Sequence, residues 1–573
     1  MDCQEQYSRW LKDFANDPEA MQDLQSIAGN QEEINDRFYC DLSFGTAGMR
    51  GVLGMGSNRM NIYTVRRATQ GLCDTFTPEE KLRGVVISYD SRRMSRRFAE
   101  ETAGVLCANG VRAYLFDALR PIALLSFGVR HLNAAGGVMI TASHNPAQYN
   151  GYKVYGADGA QIGPEVADRV TDAIRSLSFT DAKALSFEEA RLSGYLFTIG
   201  AENVDDAYMR LEKTLQIRPE VTRKEGDKLK IVYTPVHGSG NVPVRRILKE
   251  IGLTNVSIVK EQEMPDENFS TVKVPNPEYT ETLSMGIALA NEIGADCVFG
   301  TDPDCDRLGV ALREKDGSFR QLTGNQAGCL MLYYILSGRK GLGTLPKNGA
   351  VVKSIVSTNL AAAICKDFGV AIYDTLTGFK FIGEKIQQFE DSGEHTFLFG
   401  FEESCGYLSG AFVRDKDGIN ASMLIAEAAA YYMTQGRTLC DVMDEIFARY
   451  GYYREKVNSI TMPGQDGLKL MAQTMTHVRE NPPKAFGDQK VLAVLDIQKG
   501  TRTDFVTGEV TPLDYPASNV LYYELEDGQF VCIRPSGTEP KIKLYVTIKG
   551  ATPEAARQRE DMVYSAAQEL LNQ

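Results

Sequence analysis

Three times along this chain an apolar, strand-like run stops abruptly in a compact polar loop: Val138 to Asn145, Cys297 to Arg307, and Phe397 to Gly406. Each run is short and bounded by turn signals, which is the pattern of a strand buried on both faces. Helical stretches alternate with them, as in "GVVISYD" followed by a basic amphipathic segment from Ser91 to Ala103, or "LKIVYTPVHGSG" followed by "VRRILKEIG" and "NVSIV". Such alternation constrains the fold to α/β layers with largely parallel sheets. Chemistry in these folds sits where strands end, so three related units can bring three loops to one cleft. The tail from about Tyr452 differs: a helical "DGLKLMAQTMTHVRE", several strands with a hairpin signal at Glu526-Asp527-Gly528, and a terminal helix predict a smaller α+β unit. The expected fold class is α/β, built from repeated strand–loop units and followed by a smaller α+β unit.

Composition narrows the class. A length of 573 residues suits several domains, and a net charge of −13 argues against nucleic acid or an anionic membrane as the bulk partner. An anionic small substrate then requires cations concentrated locally. The N-terminal "MDCQEQYSRWLKDF" lacks the apolar core of a signal peptide, and no run approaches a membrane span. Eleven cysteines without a C-x-x-C read as reduced thiols in a cytoplasmic protein.

The loops carry the chemistry. "GTDPDCDRLG" sets Asp302, Asp304 and Asp306 at alternate positions, and three carboxylates that close repel unless a cation lies between them. Hard oxygen ligands suit Mg2+. An EF-hand fails because Arg307 and Arg313 stand where Gly and Glu are needed. An aspartyl-phosphatase motif and a solvated acidic turn remain as alternatives, and Cys305 reads as a bystander. "CIRPSGTEPKIKLY" groups Arg534, Ser536, Gly537, Thr538 and Lys541, a donor set matched to phosphate. It is not a Walker A loop, because G-K-[ST] is missing. In "FGFEESCGY", Glu402, Glu403 and Ser404 could accept or donate hydrogen bonds to sugar hydroxyls, or form a charged turn. The "RDKDG" run, Arg414 to Gly418, is of a kind that is normally a solvated turn, though Lys416 could reach a phosphate. Ser143 lacks the nucleophile elbow of a Ser/His hydrolase, since Thr141 and Asn145 replace its glycines. Side chains on an extended segment diverge, so His144 is expected to be a poor base for Ser143. A serine carrying a phosphoryl group, or a loop serine satisfied by its own backbone, are the readings left.

Taken in order, "FGTAGMRG", "TASHNPAQYNGYK", "GTDPDCDRLG", "GFEES" and "RPSGTEPK" resemble the α-D-phosphohexomutase superfamily over essentially the whole chain. The resemblance implies three similar mixed α/β domains and a smaller C-terminal α+β domain around a central cleft, with expected bounds at residues 1–205, 206–322, 323–451 and 452–573. The resemblance implies that Ser143 is a phosphoserine and that Asp302, Asp304 and Asp306 hold Mg2+ together with a phosphoserine oxygen. It implies Arg50, Lys153 and Arg307 near the transferring phosphoryl group, with Lys153 moving the proton. Glu402 and Ser404 are then expected on sugar hydroxyls, and Arg534, Ser536, Gly537 and Thr538 on the non-reacting phosphate, with Lys416 a further substrate contact. His144 and Asn145 shape the loop. The implied reaction interconverts sugar 1- and 6-phosphates through a bisphosphate, glucose 1,6-bisphosphate for the first-choice sugar. Glu-Glu-Ser resembles the glucose-selective type. Many mannose-using relatives have a Gly-His pair where this chain reads Gly378-Phe379-Lys380, and "GEMSGH" where it reads "FEESCGY". "TLTGFKFIGEK" and "DKDGINAS" also resemble the branch that includes phosphopentomutases, so ribose or deoxyribose phosphate is the second expectation and mannose phosphate the third. A metal-dependent sugar phosphatase using the Asp302 loop, or a sugar-phosphate-binding regulator, are the readings from other classes.

Overall fold

The computed structural model describes residues 2–45, 48–461, 467–535 and 541–571. The first sheet contains β1 (Gly48–Val52), β2 (Val85–Tyr89), β3 (Ala113–Phe116), β4 (Gly136–Ile140), β5 (Tyr149–Gly156) and β6 (Leu196–Ile199), in the order β1-β5-β4-β2-β3-β6. Strands β4, β2, β3 and β6 run parallel, β5 returns antiparallel to β4, and β1 pairs antiparallel with β5 at the edge. Every residue of β2 and β4 is buried, because helices cover both faces. Val86 and Met139 pack towards the helix Ile122–His131, while Val85, Ile87, Val138 and Ile140 pack towards the helix Ser95–Ala108. That two-sided burial explains why these strands read as unbroken apolar runs.

The second sheet has β7 (Ile231–Thr234), β8 (Val256–Ile258), β9 (Cys297–Thr301), β10 (Leu308–Arg313) and β11 (Phe319–Gln321), ordered β11-β10-β9-β7-β8. The third has β12 (Gly349–Ser354), β13 (Ala371–Thr375), β14 (Thr396–Glu402) and β15 (Gly406–Leu408), ordered β13-β12-β14-β15. In all three, a parallel strand turns directly into an antiparallel partner: β4 into β5, β9 into β10, β14 into β15. The three polar loops singled out in the sequence are these turns. Each contains one non-glycine residue at positive φ: Ser143 (51°), Cys305 (52°) and Cys405 (62°). L-residues rarely adopt that conformation, and three occurrences at equivalent turns mark strain held in place by the surrounding fold.

The fourth sheet is antiparallel. It comprises β16 (Tyr452–Thr461), β17 (Ala485–Phe486), β18 (Gln489–Asp496), β19 (Thr501–Asp504), β20 (Val510–Pro512), β21 (Leu521–Leu525), β22 (Phe530–Pro535) and β23 (Lys541–Gly550). The helix Gly467–Glu480 and the terminal helix Pro553–Leu571 pack against it, and a short turn at Glu526–Gly528 joins β21 to β22. The chain thus has three α/β units and a C-terminal α+β unit, the fold class expected.

One apolar core runs through the first three units, from Val86 and Phe116 through Ile231 and Phe299 to Val352 and Phe401. A second joins Ile355, Val356 and Leu376 of the third unit to Ile497, Tyr522 and Phe530 of the fourth. Fully burying one such side chain stabilises a fold by about 1.5–3 kcal/mol, so these shared cores fix the relative placement of the loops. All eleven cysteines are free thiols, and nine of them are buried.

Candidate active site

Ser143, Asp302, Asp304 and Asp306 come together. The Ser143 hydroxyl donates to Asp302 Oδ2 at 3.0 Å, and the Ser143 amide donates to Thr141 Oγ1 at 2.8 Å. The three aspartates are all buried, and a carboxylate oxygen from each lies within 4.8 Å of the others. Asp302 Oδ1 is committed to the amides of Asp306 and Arg307, at 3.1 and 3.0 Å. Asp304 Oδ1 and Asp306 Oδ1 are buried without a hydrogen-bond partner among the described residues. Buried, unpartnered carboxylate oxygens beside a third carboxylate fit a hard divalent cation. Burial and the two neighbouring carboxylates push Asp302 well above its ordinary value. Burial also opposes ionisation of Asp306, but Lys416, Lys153 and Arg307 outweigh it and hold that group below its ordinary range.

Cations from all three α/β units face this cluster. Lys153 lies on β5, opposite Gly48 of β1, and its Nζ is 3.0 Å from Asp304 Oδ2 and 3.9 Å from Asp306 Oδ2. Lys416 Nζ is 3.1 Å from Asp306 Oδ2. Arg50, on β1, donates to Asn145 Oδ1 at 2.8 Å, and its charge acts on Asp304 and Asp306. Arg307 pairs with Glu278 and lies 3.9 Å from Asp306. Backbone bonds tie the β9–β10 turn and strand β10 to the first and third units. The Asp304 carbonyl accepts from Ile122, the Cys405 carbonyl from Leu308, and the Cys305 carbonyl from Gly418.

Two expectations need correction. His144 does face Ser143: its Nδ1 lies 3.1 Å from the Ser143 hydroxyl. The divergence rule assumed an extended segment, whereas φ = 51° at Ser143 folds the two side chains to one side. Burial, Arg307 and Arg50 push His144 well below its ordinary value, so it is a neutral imidazole at physiological pH. The Arg414 to Gly418 run is not solvated either. Arg414, Asp415 and Asp417 are buried, as is Lys416, because each charge meets a partner from elsewhere in the fold.

Glu402 closes β14, and its Oε1 accepts from the Gly378 amide at 2.8 Å. Burial raises its pKa to about 7, with Lys416 opposing and Glu403 adding to the shift. Glu403 Oε2 accepts from Ser354 Oγ at 3.0 Å. Ser404 is half-buried in the same turn. Arg534 lies on β22 opposite Lys543 of β23, and the Lys543 ammonium is lowered by burial and by Arg534 while Glu403 opposes. The fourth unit's cations therefore sit within electrostatic reach of the third unit's Glu403. Ser536, Gly537 and Thr538 lie outside the described residues.

Sequence reasoning missed the residues that hold the Ser143 turn. Arg92, fully buried, donates to the carbonyl oxygens of Ser143, Asn145 (2.5 Å), Pro146 (3.0 Å) and Tyr149 (3.2 Å). Its guanidinium also lies over Phe269 of the second unit, 4.9 Å from the ring centre, and 3.3 Å from Asp90. Asp90 in turn accepts from Thr141 Oγ1 at 2.6 Å. The available signal was Asp90 ending an apolar strand just before a pair of arginines.

The chain is similar to known proteins along most of its length. Four family descriptions match in order: Phosphoglucomutase/phosphomannomutase, alpha/beta/alpha domain I over residues 41–181, domain II over 206–317, domain III over 323–450, and the C-terminal domain over 478–565. A phosphoglucomutase of Staphylococcus epidermidis is 37% identical over 541 residues, which cover 94% of each chain. A phosphoglucomutase of Staphylococcus aureus is 36% identical over 522 residues, covering 91% of this chain and 92% of the relative. Parafusin from Paramecium, solved in its open form, superposes with a TM-score of 0.69 over 92% of this chain and 96% of its own, at 18% identity, a likeness of fold.

Proposed function

The chain belongs to the phosphoglucomutase/phosphomannomutase family, the intramolecular phosphotransferases with these four domains, and from that premise we propose a phosphoglucomutase that works through a phosphoserine at Ser143. It interconverts α-D-glucose 1-phosphate and glucose 6-phosphate. The observation that supports this most is the Ser143 hydroxyl resting on Asp302, inside a carboxylate triad faced by Lys153 and Lys416. A lone acidic cluster would suit a phosphatase; a serine hydrogen-bonded to it gives the phosphoryl group a place to wait.

The phosphoryl group on Ser143 Oγ passes to the free 6-hydroxyl of glucose 1-phosphate: the new P–O6 bond forms as the P–Oγ bond breaks. The hydroxyl proton is relayed through Lys153, which gives up one of its own protons to the departing Ser143 Oγ, and the product is glucose 1,6-bisphosphate. The bisphosphate turns over, and its 1-phosphate returns to Ser143 Oγ with glucose 6-phosphate as product. Asp302, Asp304 and Asp306 would hold Mg2+, which when bound neutralises charge on the transferring group. Arg50 and Arg307 flank that position, Glu402 and Ser404 receive sugar hydroxyls, and Arg534 with Ser536, Gly537 and Thr538 clamps the phosphate that is not reacting. Lys416 is a further contact for a phosphate beside the triad. The four functional units are proposed to divide after residues 205, 322 and 451.

A cytoplasmic location is proposed with it; among the described residues no helix is long and apolar enough to cross a membrane. The deciding experiment is a coupled assay with glucose, ribose and mannose 1-phosphates side by side, with inorganic phosphate release followed in parallel. Glucose 1-phosphate is expected to turn over best. Phosphate release without sugar 6-phosphate would replace the mutase by a phosphatase.

A further inference from the structure

Asp415 lies between Arg414 and Lys416 and is 1% exposed. Four donors converge on its carboxyl group. The Lys416 amide (2.8 Å) and Lys416 Nζ (2.9 Å) reach Oδ1, while the Tyr155 hydroxyl (2.8 Å) and Gln161 Nε2 (3.0 Å) reach Oδ2. The first two belong to Asp415's own turn in the third unit, and the last two to the first unit.

Tyr155 stands two residues beyond Lys153 on β5, so both side chains leave the same face of one strand. From that face Lys153 Nζ reaches Asp304 at 3.0 Å, and the Tyr155 hydroxyl reaches Asp415. From the other side of Asp415, Lys416 Nζ reaches Asp306 at 3.1 Å. Two ammonium groups from different units therefore approach neighbouring carboxylates of the triad, and Asp415 is the link between their supports. The path of Lys416 is prepared as well: a Cβ on Gly406 would lie 2.2 Å from the Lys416 Cδ, so only glycine lets the stem cross β15.

A lysine carries its charge on a flexible four-carbon stem, and a carboxylate that accepts from both its amide and its ammonium removes most of that freedom. We propose that Asp415 is a positioning residue for phosphoryl transfer, holding the Lys416 ammonium at the triad and fixing it relative to Lys153 through Tyr155 and Gln161. The inference rests on the mutase reading and adds to it a residue that touches neither substrate nor metal.

The test is a double-mutant cycle on the full-length, magnesium-loaded protein, with kcat/KM for glucose 1-phosphate as readout. Asp415→Asn is expected to lower kcat/KM by about 10- to 100-fold, since misplacing a group by about 1 Å has effects of that size. In a Lys416→Met background the same change is expected to cost less than about threefold, because residues acting as one unit are not additive. Equal losses in both backgrounds would mean that Asp415 serves the fold generally, and would overturn the proposal. So would an Asp415→Asn protein with full activity. Tyr155→Phe, which keeps the ring and removes one donor, runs the same cycle should Asp415→Asn fail to fold. Crystal structures of the wild-type and Asp415→Asn proteins supply an arm that needs no turnover. The Lys416 ammonium is expected to leave Asp306 in the variant; an ammonium in the same place overturns the inference. Wild-type protein without mutase activity would count against the mutase reading alone.

Discussion

Ser143 Oγ and Asp302 Oδ2 lie 3.0 Å apart although 159 positions separate them in the chain. A hydroxyl from the first unit thus rests on a carboxylate of the second, at a turn whose left-handed backbone costs about 1–3 kcal/mol and is held by Arg92 from below. Strain kept in this way indicates a serine whose direction matters. Ser143→Ala should therefore lose more than about 10⁴-fold in mutase kcat while keeping its thermal unfolding profile, as removal of a covalent-transfer nucleophile does. Mass spectrometry of active wild-type protein should find phosphoserine in the Gly136 to Lys153 peptide. Near-normal turnover in the alanine variant would remove the phosphoserine mechanism.

Arg92 allows a separate test of the turn. Its guanidinium serves four carbonyl oxygens and Asp90 at once, a fork that an ammonium cannot reproduce. Arg92→Ala should destabilise the protein by about 3–5 kcal/mol, because Asp90 is left buried and without its countercharge. Arg92→Lys should cost less stability, yet slow phosphorylation of Ser143 by glucose 1,6-bisphosphate by at least about tenfold. Denaturant titration and rapid-quench labelling separate the two effects. Unchanged labelling in a folded Arg92→Lys protein would show that the turn does not need this grip.

How far these features were legible differs residue by residue. The triad and the three turns could be found because each lies in one short run, with the apolar strand before it announcing the loop. Arg92, Glu278, Asp415 and Tyr155 could not, since each acquires its role from a partner far away in sequence. His144 was misjudged for a conformational reason: nothing in the residue type of Ser143 announces a positive φ. The Arg414 to Gly418 run reads as solvated because its charges are counted alone; in the fold Glu390, Asp306, Tyr155 and Tyr208 meet them. Of the donor set expected for the phosphate, Arg534 and Lys541 lie among the described residues, whereas Ser536, Gly537 and Thr538 lie outside them.

The triad predicts a metal requirement. Prolonged chelation should abolish turnover, and magnesium or manganese should restore it better than zinc, because the ligands are all oxygen. Asp304→Asn and Asp306→Asn should weaken magnesium binding, measured by calorimetry, without loss of fold. Full activity after chelation, confirmed by elemental analysis, would exclude the assignment of these three residues.

Glu402 predicts a pH dependence. Its pKa of about 7, against an ordinary 4.5, follows from burial and is tempered by Lys416. If the carboxylate form receives sugar hydroxyls, kcat/KM should rise with pH through about 7, and Glu402→Gln should remove that limb. Stability runs the other way. A carboxyl group whose folded pKa is raised contributes stability that is whole below about pH 4.5 and lost as pH rises through 7, by at most about 3 kcal/mol. Glu402→Gln should then gain stability relative to wild type between pH 5 and pH 8. A pH-independent difference between the two proteins would contradict this account of Glu402.

Arg534 separates a mutase from a phosphatase. In a mutase the phosphate that is not reacting must be held away from the metal in both orientations of the sugar, and β22 offers Arg534 for this beside Lys543 and within reach of Glu403. A guanidinium presents two parallel donors to two phosphate oxygens, so Lys is no substitute. Losing a charge-assisted hydrogen bond of this kind costs about 1.5–3 kcal/mol, or about one to two orders of magnitude in kcat/KM. Arg534→Ala should show that loss with glucose 1-phosphate while magnesium binding and the phosphate content of Ser143 stay largely intact. The bisphosphate should also escape more often, so the variant should need more added glucose 1,6-bisphosphate to remain primed. A phosphatase acting through the Asp302 loop has no such need, because its product leaves after a single transfer. An Arg534→Ala protein with unchanged kcat/KM and an unchanged bisphosphate requirement would mean that the phosphate is clamped elsewhere, and the case for a bisphosphate that reorients in this cleft would weaken with it.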